Sequence, residues 1–466
     1  MRWGRLGDRL HRAALLLAVV GAVVGGLVIA GLTWWSLWWL LGAKAETPNQ
    51  LDLTKIALSV AAGVGGAVAL VVAYRRQRDL ERGRFAELFG AAARQLGDAD
   101  AAVRIAGVYA MAGVADEFSA QSRRQQCIDV LCGYLQLPYE PTDGANHIVS
   151  RSESAEQAGT KVERVYRFRQ NDREVRRAIV RVIAQHLRPS ADIRWSTCNL
   201  TFNGAVLEQV DFREAVFSGR HTSFAGATFM GQSTFERVRF DGHHVTFRGA
   251  TFRDGPVLFD HAKFDTSRIE KHEPAGHGTT FADATFESAV SFESAHFQGP
   301  RTNFSGARFL GPRTSFQDAE FRAELTSFER AVLDGAHIAF DGAEFTSSRI
   351  AFRGAQFYAT LTAFDEAKIG APNRLRNRGT RETDFSRAEF HGGVRFPRTV
   401  LGGRTVDFTE GDFFGDIAFL GTRFAAQEIH FDRPRAWVGT HFDWDDAPTR
   451  KPSTVKPNPW PPTTVA

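Results

Sequence analysis

Residues 305–321 read SGARFLGPRTSFQDAEF, and this stretch carries the rhythm that decides the fold. Its phenylalanines stand at positions 309, 316 and 321, separated by seven and five residues. A strand alternates every two residues, so an odd step reverses the side to which a side chain points. The chain must therefore turn a corner between successive rings. A small or β-branched residue stands two places before each ring, on the same side. The stretch predicts short strands that turn both residues inward.

The same rhythm extends from Cys198 to about Val438 and explains why 466 residues contain 39 Phe but 6 Tyr. Each unit is a small residue, any residue, then Phe or Leu, followed by two more. In this unit the chain resembles the pentapeptide-repeat family. The resemblance implies a mainly β solenoid, a right-handed quadrilateral β-helix with four faces per coil, here over residues 190–442. About 38 repeat centres then predict nine to ten coils and a rod about 45 Å long.

The repeat centres, together with the residues two places before them, predict the interior of the solenoid. Rings stacked from coil to coil exclude water, and each contributes roughly 1.5–3 kcal/mol. We therefore expect these side chains to be structural. The interior positions singled out are Phe309, Phe316, Phe321, Phe328, Phe340, Phe345, Phe352 and Phe357. The steps of seven residues predict enlarged turns at alternate corners.

Two uncharged apolar stretches precede the repeats and predict a transmembrane hairpin over residues 13–74. Its spans cover about 13–39 and 56–74, and each is long enough to cross a bilayer as a helix. Arginines dominate residues 1–12 and the segment that follows the second span, which predicts that both termini are cytoplasmic. The spans and the juxtamembrane arginines predict contact with membrane lipid. The interpretation is a two-span protein of a bacterial cell membrane.

A signal peptide is the alternative interpretation of the first stretch. Residues 43–45 read AKA and have the small-x-small pattern of a cleavage site. However, the apolar run is about twice the usual length of about 7–15 residues. Cleavage would also leave the second span without its partner. We therefore favour the hairpin.

A helical segment over residues 75–138 is predicted by apolar residues three and four apart. Its last part, Arg124 to Leu135, recurs as Arg176 to Leu187. A helical unit that repeats in this way resembles the HEAT or armadillo class, whose members bind partners.

Three further segments complete the predicted organisation of the chain. Residues 139–164 are polar and lack periodicity, which predicts a flexible loop. Residues 165–189 predict a helix that caps the first coil, because a stacked solenoid needs covered ends. Residues 443–466 are rich in proline and predict a disordered tail.

Two interruptions of the rhythm, residues 265–280 and 370–384, are the candidate sites. Sixteen steps separate Phe264 from Ile369, which equals four coils of four faces, so both insertions are expected to leave one corner about 20 Å apart. Long loops on a rigid scaffold are where recognition concentrates. They predict partner binding through Lys271, His272, Glu273, His277, Arg374, Arg376, Arg378 and Arg381. The arginines suit phosphate or an acidic partner, whereas the histidine spacing is generic and predicts no metal.

Catalytic and cofactor motifs are missing from the sequence: GxGxxG after a strand, GxxxxGK[ST], HExxH and GxSxG at an elbow. We therefore predict no enzyme activity and no cofactor. Net charge is +4, and acidic and basic residues are intermixed along the repeats. A DNA-like acidic rod and nucleic-acid binding are accordingly not predicted.

The function predicted from these features is that of a membrane-anchored, non-catalytic scaffold that binds an unknown protein partner. Small residues one helical turn apart in the spans suit either hairpin packing or a homo-oligomer. Two alternatives stay open. One is a modulator of a DNA topoisomerase or gyrase, the best-known role within the resembling family. The other is a membrane signalling or assembly protein.

Overall fold

The computed structural model describes residues 49–141, 150–157, 160–267, 277–370 and 381–465, together with isolated positions between 25 and 39. The chain divides into two compact units, Met1–Leu88 and Phe89–Ala466. All of the repeats belong to the second unit.

The first unit contains most of helix α1, which runs over Asn49–Leu96. Among the described residues, one helix, over Leu58–Leu96, is long and apolar enough to cross a membrane. The second predicted span, 56–74, lies within α1, whereas the first, 13–39, lies almost entirely outside the described residues. The two-span hairpin therefore stays a prediction. Helix α1 continues past residue 74 because the Arg-, Leu- and Glu-rich sequence that follows favours helix.

Three further helices belong to the second unit: α2 Ala101–Glu117, α3 Gln121–Leu135 and α4 Asp172–Leu187. Asp100 caps α2 by accepting a hydrogen bond from the Ala102 N–H. Apolar residues three and four apart give α4 one buried face, formed by Val175, Ile179, Val182, Ile183 and Leu187. The three helices pack against one another. The resemblance to HEAT repeats stays a prediction.

A cluster of buried charges joins these three helices. Asp172 accepts hydrogen bonds from Arg104 Nη1 at 3.1 Å and from Tyr134 Oη at 2.5 Å. It also accepts one from Arg176 Nε at 2.8 Å. Burial, and after it the hydrogen bond to Asp172, raise the pKa of Tyr134. A single carboxylate thus holds two guanidinium groups that are almost completely withdrawn from water.

Within residues 139–164, the described part is not the flexible loop that the sequence predicted. Their described part contains an antiparallel hairpin, whose strands are β1 Ser150–Gln157 and β2 Thr160–Arg167. Residues of opposite charge face each other across the two strands, for example Glu153 and Arg164. Such cross-strand pairs stabilise a β-ladder. Charged and polar residues make up most of both strands, and the apolar residues of β2, Val162, Val165 and Tyr166, do not alternate, so the sequence lacks the pattern that predicts a strand.

The repeats fold into a solenoid of four parallel sheets, with one strand of each sheet in a coil. Within the described residues, sheet 1 comprises β3 Leu200–Thr201, β6 His221–Ser223, β10 His244–Thr246, β14 Gly278–Thr280, β18 Arg301–Asn303, β22 Leu325–Ser327, β26 Arg349–Ala351, β30 Glu382–Asp384, β34 Thr405–Asp407, β38 Glu428–His430 and β41 Val455–Lys456. Sheet 2 comprises β4 Val206–Glu208, β7 Thr228–Met230, β11 Thr251–Arg253, β15 Thr285–Phe286, β19 Arg308–Phe309, β23 Val332–Leu333, β27 Gln356–Phe357, β31 Glu389–Phe390, β35 Asp412–Phe413 and β39 Ala436–Trp437.

The other two sheets complete each coil. Sheet 3 comprises β8 Ser233–Thr234, β12 Val257–Leu258, β16 Val290–Ser291, β20 Arg313–Ser315, β24 His337–Ala339, β28 Leu361–Ala363, β32 Gly393–Arg395, β36 Ile417–Ala418 and β40 Thr440–His441. Sheet 4 comprises β5 Val216–Phe217, β9 Arg239–Phe240, β13 Lys263–Asp265, β17 His296–Gln298, β21 Glu320–Phe321, β25 Glu344–Phe345, β29 Lys368–Ile369, β33 Val400–Leu401 and β37 Arg423–Phe424. The chain makes about ten coils, which confirms the predicted solenoid and its number of coils.

The corners of the coil explain the alternation of steps. Steps of five occur where the chain passes from sheet 1 to sheet 2 and from sheet 3 to sheet 4. These corners turn tightly through a residue with positive φ, such as Gly306 at 67° and Asp318 at 54°. Steps of seven occur at the 2–3 corner and the 4–1 corner, which lie diagonally opposite each other. The segment 310–312, between β19 and β20, is an enlarged 2–3 corner.

Stacked phenylalanine rings fill the interior. Phe316 lies between Phe292 and Phe340, with ring centroids 5.0 and 4.9 Å apart and planes nearly parallel. The rings singled out in the sequence are all fully buried: Phe309, Phe316, Phe321, Phe328, Phe340, Phe345, Phe352 and Phe357. The residues two places before Phe309, Phe316 and Phe321 are also buried. They are Ala307, Thr314 and Ala319.

We expect Thr314→Val to stabilise the solenoid. Thr314 lies in register between Val290 and Ile338 of the neighbouring coils, and its buried hydroxyl has no hydrogen-bond partner. Because valine has the same shape without the unsatisfied polar atom, the free energy of unfolding should rise by about 1–2 kcal/mol. Urea unfolding of the full-length protein, followed by circular dichroism, measures this change.

Thr422 supplies the matched control for that prediction. Its hydroxyl is also buried, but it donates a hydrogen bond to the Phe396 carbonyl at 2.7 Å. Thr422→Val should therefore lower the free energy of unfolding, by about 1 kcal/mol. A loss of stability in both variants would show that the Thr314 hydroxyl is satisfied.

Helices cover the N-terminal end of the solenoid. Gln136, just after α3, donates a hydrogen bond to the Thr201 carbonyl at 2.7 Å. Arg173 of α4 forms an ion pair of 2.7 Å with Glu208 in β4. The cap that the sequence placed at 165–189 therefore consists of α4 with α3 beside it.

The described part of the C-terminal segment, residues 443–465, is not the disordered tail that the sequence predicted for 443–466. Strand β41 extends sheet 1, and the Trp460 ring lies 5.0 Å from Phe442 and 5.9 Å from Phe431. The segment thus covers the sheet 1 edge of the last coil with β41 and its aromatic rings with Trp460. The sequence did not indicate this role, because a proline-rich segment is typical of an extended tail.

Candidate functional site

The strand order places both insertions at the 4–1 corner. The first connects β13 to β14, and the second connects β29 to β30. Strands β14 and β30 are four coils apart in sheet 1, which corresponds to roughly 19 Å at the usual strand spacing. The expectation that both insertions leave one corner is thereby confirmed.

Only two of the residues proposed in these insertions lie within the described chain. His277 directly precedes β14, and Arg381 directly precedes β30. The remaining candidates lie outside the described residues: Lys271, His272, Glu273, Arg374, Arg376 and Arg378. Partner binding by these loops therefore stays a proposal.

A row of histidine rings follows the edge of sheet 1 beside the first insertion. The His244 ring lies 6.2 Å from His221 and 6.4 Å from His277. Burial, and then the two neighbouring histidines, lower the pKa of His244. Among the described residues, no group of three or more His, Cys, Asp and Glu side chains is placed to hold a metal ion. The row is therefore not interpreted as a metal centre.

The opposite, 2–3 corner carries a row of three aromatic rings and a valine that point outward. We call this row the outward ladder; it consists of Tyr358, His391, Phe414 and Val438. Each follows an inward-facing aromatic residue at the end of a sheet 2 strand, and the four strands are consecutive. The ring of His391 stacks 4.7 Å from Tyr358 and 5.1 Å from Phe414. Tyr358, Phe414 and Val438 are 41%, 53% and 59% exposed, in contrast to the polar Asp334 at this position one coil earlier.

A carboxylate holds the first ring of the outward ladder in place. Tyr358 Oη donates a hydrogen bond to Glu389 Oε2 at 3.1 Å, and Gln356 Nε2 donates to the same oxygen at 3.1 Å. Desolvation, and then this hydrogen bond to Glu389, raise the pKa of Tyr358. The ring therefore presents a neutral, oriented edge to the solvent.

A cavity of about 440 Å³ opens beside the outward ladder. It is lined by Glu410, Asp412, Phe414, Arg433, Arg435 and Val465. Arg433 pairs with Glu410 at 3.0 Å, and Arg435 pairs with Asp412 at 2.6 Å. The hydrogen bond from Arg387 lowers the pKa of Glu410, whereas burial raises that of Asp412. Because the charges neutralise one another in pairs, the cavity suits an apolar side chain better than an ion.

The sequence contains a local signal for the outward ladder. In a strand, the residue after an inward ring must point outward. The pairs Phe357–Tyr358, Phe390–His391 and Phe413–Phe414 therefore each place a ring on the surface. Interruptions of the rhythm do not mark these pairs, because the rhythm is intact at these positions.

Comparison with protein families matches residues 202–251 to Pentapeptide repeats (9 copies). The chain contains pentapeptide repeats. The matched stretch covers the first coils, and the same stacked sheets continue past it to the end of the solenoid. Neither the curated proteins nor the solved structures gave a match. The pentapeptide repeats are thus the part of the chain that comparison supports.

Proposed function

We propose that the chain is a non-catalytic scaffold whose pentapeptide-repeat solenoid binds a protein partner. The observation that carries this proposal is the outward ladder. Contiguous exposed apolar side chains are disfavoured on a soluble surface unless a partner covers them. A pentapeptide-repeat solenoid is also a rigid platform, because its stacked interior holds every surface residue in register.

The shape of the outward ladder indicates the kind of partner. It is one side chain wide and follows the rod axis over four coils, or roughly 14 Å at the usual strand spacing. This geometry fits an extended protein segment that runs along the rod. The cavity beside Phe414 would accept one large apolar side chain from that segment. The partner we propose is therefore a protein with an exposed apolar anchor residue.

The two insertions form a second proposed surface on the opposite corner. The arginines of the second insertion, Arg374, Arg376, Arg378 and Arg381, suit an acidic partner. Surfaces on diagonally opposite corners would allow the solenoid to hold two partners at once. This arrangement favours a scaffold over a single-ligand binder.

Anchoring of the scaffold in a membrane is also part of the proposal. It is supported by the apolar part of α1, none of whose described residues is buried, and by the arginines that follow it. Two spans with both termini cytoplasmic remain the preferred arrangement. A role as a DNA mimic is not proposed, because exposed carboxylates are paired with cations, as Glu366 is with Arg398 at 2.9 Å.

We expect Phe414→Ser to weaken partner binding by about tenfold or more, since loss of a buried aromatic side chain costs roughly 1.5–3 kcal/mol. Quantitative capture of bound proteins from native membranes measures this effect. Leu420→Ser is the matched control, because Leu420 lies in the same coil and is 50% exposed, but at the 3–4 corner.

Deletion of residues 268–276 or 371–380, which leaves β14 and β30 in place, tests the second surface separately. We expect each deletion to remove a different set of captured proteins from that lost with Phe414→Ser. If intact protein, Phe414→Ser and both deletions capture the same proteins in the same amounts, neither surface binds a partner and the proposal is wrong.

A further inference from the structure

The hairpin of β1 and β2 stands apart from every other sheet. Among the described residues, β1 and β2 pair only with each other. Residues 151–155 and 163–167 are all exposed, so neither face of the hairpin is covered by the rest of the chain. A two-stranded hairpin without a packed face is at best marginally stable in water. The hairpin therefore lacks strands or a surface that would complete it.

The free edge of β2 offers backbone groups in a known pattern. Gln157 and Thr160 are partners at the closed end, and in the common two-residue hairpin the closing pair exchanges both hydrogen bonds. Alternation along the ladder then directs the N–H and C=O groups of Glu163, Val165 and Arg167 away from β1. These three residues form a row of unpaired donors and acceptors that another strand can bind.

We propose that β2 pairs in antiparallel fashion with β2 of a second copy of this chain. A two-fold axis through Val165 places Val165 opposite its own equivalent. It also places Glu163 of each copy opposite Arg167 of the other. This ion pair occurs twice, because both copies contribute the same surface to the interface. Arg164 then faces Tyr166 of the second copy, which brings a guanidinium next to an aromatic ring. About six backbone hydrogen bonds would join the two copies.

No neighbouring register is as favourable. A two-fold axis through Glu163 would oppose two carboxylates, and one through Arg167 would oppose two guanidinium groups, both of which are destabilising. The edge of β1 offers no apolar side chain larger than Ala155. The edge of β2, in contrast, presents Val165 at 58% and Tyr166 at 41% exposure. Charge and apolar complementarity thus favour the edge of β2 and the register with its two-fold axis through Val165. They also favour a second copy of the chain as the strand that binds this edge.

The resulting four-stranded sheet does not use the outward ladder or the insertions. Failure of this pairing would therefore leave the proposed scaffold function untouched, and the reverse also holds. The sheet would make the scaffold a dimer that presents two sets of binding surfaces, which raises the avidity for a multivalent partner.

Cysteine cross-linking tests the two-fold contact directly. The full-length Val165→Cys variant in native membranes should give a covalent dimer on mild oxidation, whereas Ser152→Cys, on β1 directly opposite Val165 within the hairpin, should not. The native Cys127, Cys132 and Cys198 are buried, and burial raises the pKa of Cys132 to about 12, so they do not compete. Absence of the Val165→Cys dimer, or cross-linking only to another protein, would overturn the proposal.

A charge exchange tests the register independently. Glu163→Arg and Arg167→Glu should each weaken self-association of the full-length protein in detergent by about tenfold, or about 1.4 kcal/mol. Both the double variant Glu163→Arg/Arg167→Glu and an equimolar mixture of the two single variants restore opposite charges, and should restore association. Fluorescence energy transfer between labelled copies of the protein measures this self-association. Failure of both combinations to recover would contradict the pairing.

Discussion

Phe316→Ala is expected to lower the free energy of unfolding by about 3–5 kcal/mol. The ring is fully buried and stacks between Phe292 and Phe340 of the adjacent coils. It also makes an edge contact with Phe328 at 5.6 Å. Alanine would leave a cavity that the backbone cannot close, because each coil is held in register by hydrogen bonds to both neighbours. Urea unfolding of the full-length protein, followed by circular dichroism, measures the loss.

Phe316→Leu is the control for this prediction. Leucine already occupies equivalent repeat centres at Leu333 and Leu401, where it is fully buried. We therefore expect this variant to lose only about 1 kcal/mol. Equal losses for the alanine and leucine variants would mean that the geometry of ring stacking, and not the filled volume, carries the stability.

Asp172→Asn is expected to destabilise the helical cap by about 3–5 kcal/mol. Asp172 is the carboxylate that accepts from both Arg104 and Arg176, and removal of its charge leaves these buried cations without a counter-ion. Asparagine has almost the same shape, so the loss reports charge and not packing. Hydrogen exchange of α2, α3 and α4 measures it, and faster exchange of these helices than of the solenoid is the expected pattern.

Glu366→Gln provides the comparison with an exposed ion pair. Glu366 pairs with Arg398 at 2.9 Å, but both side chains are more than half exposed. Water screens such a pair, so the variant should change stability by no more than about 1 kcal/mol. A cost for Asp172→Asn as small as this would imply that water reaches the buried arginines.

Features that repeat could be predicted from the sequence. The inward position of Phe316 and of Thr314 follows from one local rule, that residues two apart share a side, and each coil applies the rule again. Counting steps even placed the two insertions at a common corner, because an integral number of coils separates them. Of the candidate residues in those insertions, His277 and Arg381 are positioned at the ends of strands, and their partners are still a proposal.

Features that depend on one particular contact could not be predicted in this way. The outward ladder needs Tyr358 and His391 to meet, although the second insertion lies between them in the chain. The hairpin needs two polar strands to pair by charge, and the C-terminal segment needs the last coil as its support. None of these contacts repeats along the chain, so no periodic pattern in the sequence indicates them.

The sequence by itself determined the ring-filled interior and the alternating corners of the solenoid, and the resemblance to pentapeptide repeats added the four faces from which the number of coils follows. A repeat of a local rule leaves the chain a single way to bury its apolar side chains. Only the tertiary structure decided how the C-terminal end is closed, how Arg104 and Arg176 come to share Asp172, and which surface rings stand in line. Those contacts join segments far apart in sequence, and their energy exists only once the coils have stacked.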